Sequence, residues 1–273
     1  MTAFPTRRGL VHGRGRVDVR RLVDILMTGV TALCVVVSLV PLVSILGYLV
    51  IRGVQSLDWA FFTRLPVPVG EPGGGMANAL VGSAIVVGMA SLMGIPVGVL
   101  AGIYLAEYGR RSRLGSLVRF FCDVQQGVPS IVVGIVAYTV VVVPMQRFSA
   151  FAGAVALAMM LLPFVARTTE EALAAAPTDI REAGLALGQP RWRVTLGIVL
   201  RSARGALVTG IMLAVARIAG ETAPLLFTAL NNRFWHSGLD QPIATLTVQI
   251  YTYAIAPYDD WNTQAWAGAL GLI

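Results

Sequence analysis

The 273-residue sequence contains no lysine; all 21 of its basic residues are arginine. A Walker A phosphate loop requires a lysine after its glycine-rich turn, so any ATP use is expected in a partner. Charge of either sign is scarce, at 13% of residues against about 25% in an average globular chain, which excludes an ordinary soluble domain. A hydrophobic content of 56% and a mean hydropathy of +0.74 exclude disorder as well. There are only two cysteines, Cys34 and Cys122, both in or beside apolar runs. They make neither a disulfide framework nor a metal site and are expected as packed thiols. The two histidines, His12 and His236, are far apart in sequence, and no nucleophile, base and orienter come together. Catalytic residues, metals and cofactors are therefore not expected.

What the chain has instead is long apolar runs. Residues 1–21 hold six arginines, Arg7, Arg8, Arg14, Arg16, Arg20 and Arg21, and form a basic tail ahead of the run Leu22–Ile51. That run far exceeds the roughly 7–15 residues of a cleavable signal, so it is expected to stay as a membrane span. Further runs cover Ala77–Ala106, Phe120–Val143, Ala150–Ala166 and Ala206–Leu230. Each is near or above the roughly 20 residues a spanning helix needs. The residues from Ala265 to Ile273 would make only about 13 Å of helix, under half a hydrocarbon core of about 30 Å. The expectation is an all-α, polytopic helical bundle over residues 22–273, with five full spans and a truncated sixth.

Arginine distribution orients the chain. With the N-terminus inside, the tail, the stretch 110–119 and the loop at about 167–205 carry 16 arginines, leaving Arg52, Arg64, Arg147 and Arg233 outside. This is the positive-inside pattern, and it accounts for the basic character through anionic lipid rather than nucleic acid. On the outer side, Trp59, Phe61 and Phe62 precede Pro66, Pro68, Pro72 and three consecutive glycines, which suits an interfacial belt and a flexible approach to the next span. Residues 231–264, with Trp235, Tyr251, Tyr253 and Trp261, read as an interfacial loop or re-entrant turn. Gly94, Gly98 and Gly102 give small-xxx-small steps for close helix packing, while Pro96, Pro129 and Pro163 are candidate bends. Asp123 reads as an interfacial cap.

The inner loop carries the most specific pattern. Arg181, Glu182, Ala183 and Gly184 lead to Gly188, and after nine further residues come Ile198 and Leu200. A short helix, a break at Gly188 and Pro190 and a second amphipathic piece make a compact knob able to fit a groove in a soluble protein. Such a pair of helices can also simply lie on the membrane surface. The spacing resembles the coupling loop of ABC-transporter permeases, although Gly184 and Arg201 stand where that pattern has alanine and proline. The stretches Ala216–Leu226 (ARIAGETAPLL) and Gly127–Gly134 (GVPSIVVG) are similar to membrane segments of the phosphate-importer permeases of that family. The likeness covers most of residues 22–270.

This resemblance implies an ABC importer permease fold in a bacterial inner membrane. It also implies a second, similar permease subunit, a dimer of ATP-binding subunits docked on Arg181 to Leu200, and a periplasmic phosphate-binding protein. Arg217 and Glu221 fall inside an apolar run, where a charge costs about 2.5–3.5 kcal/mol unless it faces protein or water. At i and i+4 they share one helix face and can pair. One reading gives Arg217 a donor fork for a passing phosphate while Glu221 holds that fork when the path is empty. The other is a structural ion pair between helices. Rival functions are a permease for another oxyanion, a membrane scaffold that does not transport, and an intramembrane enzyme using Glu221 as acid or base.

Overall fold

The computed structural model describes the backbone of residues 14–69, 71 and 73–273, and side chains from residue 19 onward. Arg7, Arg8, His12 and Pro72 lie outside the described residues, as do the side chains of Arg14 and Arg16. The described elements are all helical. The chain divides into two units at Ile51 and Arg52.

Helix α1, Arg14–Ser56, continues the basic tail into the first apolar run without a break. Its 43 residues make about 64 Å of helix, twice a hydrocarbon core. From Val19 to Tyr48 its apolar side chains are exposed all round, since neighbouring residues such as Leu22, Val23, Ile25 and Leu26 are all open. Lipid is the medium in which such a surface costs nothing.

The second unit is built on two long helices. α2, Trp59–Thr63, is one turn capped by Asp58, whose carboxylate accepts from the Phe61 N–H at 2.8 Å. α3, Ala77–Ile103, runs through Pro96 and ends in a π-helical turn over Tyr104–Tyr108. α4, Arg113–Gly127, is capped by Ser112, and α5, Ser130–Ala137, extends through a second π turn to Met145. α6, Ala150–Ala174, is capped by Ser149 and continues through Pro163. It outlasts the expected span by eight residues, because the charges beyond Ala166 find partners on α4.

The α3–α6 seam is the centre of the unit. Gly82, Val86, Ala90, Gly94, Gly98 and Gly102 recur every four residues and make one buried face. A Cβ at Gly98 would stand 2.8 Å from Val165 Cβ, and one at Gly102 would stand 2.6 Å from the Ala166 carbonyl. Only glycine lets the two backbones approach this closely. Leu157, Leu161 and Val165 complete the apolar centre, with no exposure.

Two expected spans are broken. Phe120–Val143 bends by 107° between α4 and α5, at Val128 and Pro129. The next segments are α7, Thr178–Ala186, and α8, Arg191–Val194, which passes through a π turn to Ser202. A 73° bend then leads into α9, Arg204–Ala219. α9 stops at Gly220, so the expected crossing Ala206–Leu230 is not one helix; a single turn, α10, Ala223–Leu226, follows. Among the described residues three helices are long and apolar enough to cross a membrane, and up to five segments are if each bent pair is one span.

The remaining chain folds back on the Met76 end of α3. α11, Leu246–Ala254, is largely buried, and α12, Asp259–Leu272, packs beside it. Tyr253 stacks on Trp261 at 4.4 Å between ring centres, and Arg233 lies over the same indole. Of the expected belt aromatics, Trp59 and Phe62 are exposed whereas Phe61 is buried in this cluster. Gly75 is obligatory here, because a Cβ would fall 2.7 Å from the Arg64 carbonyl. At 14 residues, about 21 Å, α12 is shorter than a bilayer core.

Candidate functional site

At the Ile103 end of α3 the chain forms a knob from α7, α8 and the π turn after it. Proline at positions 177 and 190 precedes each helix, fixing φ without wasting a helical donor. Gly188 closes the first helix at φ +76°, the left-handed cap that glycine takes without strain. Gly184 is buried against Val194 and Ile198, with room for a Cβ only at 3.0 Å from both. This close approach explains glycine where the family pattern has alanine.

The knob's predicted contact residues separate by direction. Glu182, Ala183, Gly188 and Ile198 are exposed, Gly184 is buried, and Leu200 packs partly against Val194 and Val199. Leu187 and Trp192, not predicted as contacts, are 80% and 53% exposed and make the knob's tip apolar. Arg181 points inward. Its Nε and Nη2 donate to Glu107 Oε1 at 3.0 and 2.9 Å, and Nη1 donates to the Ala176 carbonyl at 2.7 Å. Nη2 also donates to the Leu173 carbonyl. The fork thus closes the end of α6 and ties the knob to the π turn ending α3.

A second charge cluster stands nearby. Glu170 accepts from Arg119 at 2.6 Å and from Arg167 at 2.8 Å, and Arg167 also pairs with Asp123 at 3.1 Å. Arg119 donates further to the Leu105 and Gly109 carbonyls. Asp123 is therefore a member of an ion network rather than a lone cap. Within it lies Cys122, a buried free thiol; Cys34 is exposed on α1.

Arg217 and Glu221 are not one face of one helix. Arg217 is in the last turn of α9, and Gly220 then donates to the Arg217 carbonyl at 3.2 Å, ending the helical ladder. Glu221 lies past that turn, where its carbonyl accepts from Thr247 Oγ1 of α11 at 2.9 Å. Among the described residues no ion pair joins the two, which removes the expected reciprocal pairing. The physical reason is the Gly220 break, which a count of four along an apolar run does not reveal. The Arg217 guanidinium is exposed, lies 5.6 Å from the Phe164 ring centre, and shares a cleft with Gln125, Gln126 and Met160. Gln125 is held by donation to the Met159 carbonyl. Gly134 of α5 meets Pro224 just beyond, so the two broken helices adjoin.

Broken helices within a protein-packed bundle, a close small-residue seam and an exposed apolar knob together define a helical membrane permease. Comparison places it within known families. Residues 94–258 match the family described as the binding-protein-dependent transport system inner membrane component. The phosphate transport system permease protein PstA of Yersinia pestis is 48% identical over 84% of this chain and 78% of its own. That of Haemophilus influenzae is 47% identical over 89% and 86%, and PstA 1 of Mycobacterium tuberculosis strain H37Rv is 36% identical over 87% and 79%. A chain from the inward-facing MetNI methionine ABC transporter superposes with a TM-score of 0.56 over 83% of this chain and 91% of its own, at 19% identity, and so shares the fold. The chain belongs to the PstA family of phosphate transport system permease proteins, and is a multi-pass membrane protein with an ABC importer permease fold.

Proposed function

We propose that this chain is the membrane permease subunit of an ATP-driven importer of inorganic phosphate, forming half of the translocation path. Its N-terminal tail, residues 1–21, lies in the cytoplasm of a bacterial cell, residues 22–273 form the permease domain in the inner membrane, and the loop at about 167–205 is the coupling element. Glu182, Ala183, Gly188 and Ile198 meet a dimer of ATP-binding subunits, while Arg181, Gly184 and Leu200 shape the knob that does so. A second permease subunit supplies the other half of the path, and a periplasmic phosphate-binding protein delivers the substrate. The chain itself hydrolyses nothing.

The observation that carries the pathway is an exposed guanidinium at the end of a helix broken inside an apolar bundle. Interrupted helices are tolerated in membrane proteins where they are packed in protein or line a watery cavity, and they mark substrate sites in many transporters. Without an internal carboxylate partner, Arg217 offers its planar fork to an oxyanion. Glu221, four residues further on and past the end of α9, borders the same break. A guanidinium does not by itself choose among oxyanions; the names of the relatives favour phosphate.

The test is uptake of labelled phosphate by cells carrying the intact transporter, beside co-purification of the ATP-binding subunits. Arg217→Ala is expected to cut uptake about tenfold or more, the worth of a lost charge-assisted hydrogen bond, with assembly unchanged. Full uptake would discard the pathway role, and a chain that assembles without any transport in its unaltered form would be a scaffold.

A further inference from the structure

We propose that the Arg181–Glu107 pair is the polar clasp of the joint through which movement of the knob is delivered to α3 and α6. This rests on the reading of the knob as the ATPase docking element. Arg181 had been expected among the docking residues by its position in the motif, but its side chain turns away from the exposed tip. Both partners are largely shielded, with side-chain exposures of 19% for Arg181 and 15% for Glu107. Glu107 occupies the π turn at the end of α3, and Arg181 simultaneously holds carbonyls at the end of α6. One guanidinium therefore joins three elements.

What lies on either side of the joint explains why it transmits. Above it, α3 and α6 are locked by the glycine seam and move as one body, since interdigitated cores do not deform continuously. Beside it, Val194, Val199 and Ala203 of the knob share one apolar cluster with Ala106 in the π turn after α3 and Leu173 of α6. A cavity of about 220 Å³, lined by Glu107, Tyr108, Arg181, Leu185 and Arg191, opens beside the ion pair. The other covalent route out of the knob, through Ser202 into α9, carries a 73° bend. A push on the knob thus reaches α3 and α6 through this apolar contact and the ion pair beside it, and reaches the Arg217 helix only across a corner. Arg181 and Glu107 are positioning residues that act through these helices.

The experiment compares phosphate transported per ATP hydrolysed in the reconstituted complete importer. Glu107→Gln keeps size and one hydrogen-bond acceptor but removes the charge; Arg181→Lys keeps the charge but loses the fork. Each is expected to lower the transport-to-hydrolysis ratio about tenfold, within the usual range of coupling between sites, while the ATP-binding subunits still co-purify. An unchanged ratio overturns the proposal, and so does loss of co-purification by Glu107→Gln, which would make the pair a folding brace. Leu187→Glu at the exposed tip separates the two ideas. It is expected to abolish co-purification, and full retention would sink the docking reading itself rather than the joint.

Discussion

Adding one methyl group at successive glycines of α3 gives a graded test of the seam. Gly88 has nothing within 4 Å of an added Cβ, Gly94 has the flexible tip of Leu161 at 3.1 Å, and Gly98 has Val165 Cβ at 2.8 Å with the Leu162 carbonyl at 3.0 Å. At Gly102 the neighbours are Thr169 Cβ at 2.5 Å and the Ala166 carbonyl at 2.6 Å. Carbon atoms rest about 3.5–4.0 Å apart, so Gly102→Ala must part the helices by about 1 Å, forfeiting up to half of each contact's well nearby. Overpacking of this kind costs about 1–3 kcal/mol, against a gain of about 1 kcal/mol from replacing glycine by alanine in a helix. Gly88→Ala should therefore be neutral or slightly stabilising. Gly94→Ala should fall near zero, because Leu161 can turn aside, and Gly98→Ala and Gly102→Ala should lose up to about 2 kcal/mol net by the same balance. Thermal unfolding of the purified chain in detergent reads the order. Equal losses at Gly88 and Gly102 would refute the seam as the cause.

Two further outcomes follow from the charge network and the knob. Glu170→Ala strips the carboxylate shared by Arg119 and Arg167 and should cost about 3 kcal/mol, as for other largely buried pairs broken on one side. By contrast, Asp240→Asn, which breaks the half-exposed pair with Arg147, should cost well under about 1 kcal/mol; unfolding temperatures of the two variants check the contrast. Gly188→Val should destabilise by about 1–2 kcal/mol through the left-handed backbone alone, since no atom lies within 4 Å of its Cβ, and Gly188→Asn should lose less. If both substitutions cost the same, a contact rather than φ governs the position.

The parts of this fold that a sequence displays are those fixed by local chemistry. Ala77–Ala106 reads as a helix long enough to span and is helical throughout, because an uninterrupted apolar run has no competing structure to adopt. The knob's break at Gly188 and Pro190 reads directly, since a left-handed cap and a donorless nitrogen are properties of single residues. The end of α6 does not. Arg167, Glu170 and Glu171 look like the start of a loop, yet the helix runs on to Ala174, because Arg119 and Asp123, more than 40 residues earlier, neutralise two of them. Glu107 is hidden in the sequence for the same reason. Its partner is 74 residues away, and nothing in the neighbourhood of either names the other. Arg217 and Glu221 show the reverse error, a spacing that suggests a local pair where the backbone has turned.

That turn changes what Arg217 requires of its surroundings. Facing lipid, a guanidinium near mid-bilayer costs about 2.5–3.5 kcal/mol. Inside this chain it finds the carbonyl end of α9, worth about 0.3–1 kcal/mol, and the Phe164 ring, worth about 0.5–1 kcal/mol at an exposed site. Those two together fall short of the cost, and the described ion pairs lie elsewhere, at either end of the bundle. On the proposed function the remainder comes from the amides of Gln125 and Gln126 in the same cleft, from water, or from a polar surface of a second subunit. A lipid-facing scaffold helix would have no use for an arginine so placed, whereas a wall of a watery path shared by two permease subunits supplies the missing solvation whether or not an anion is passing.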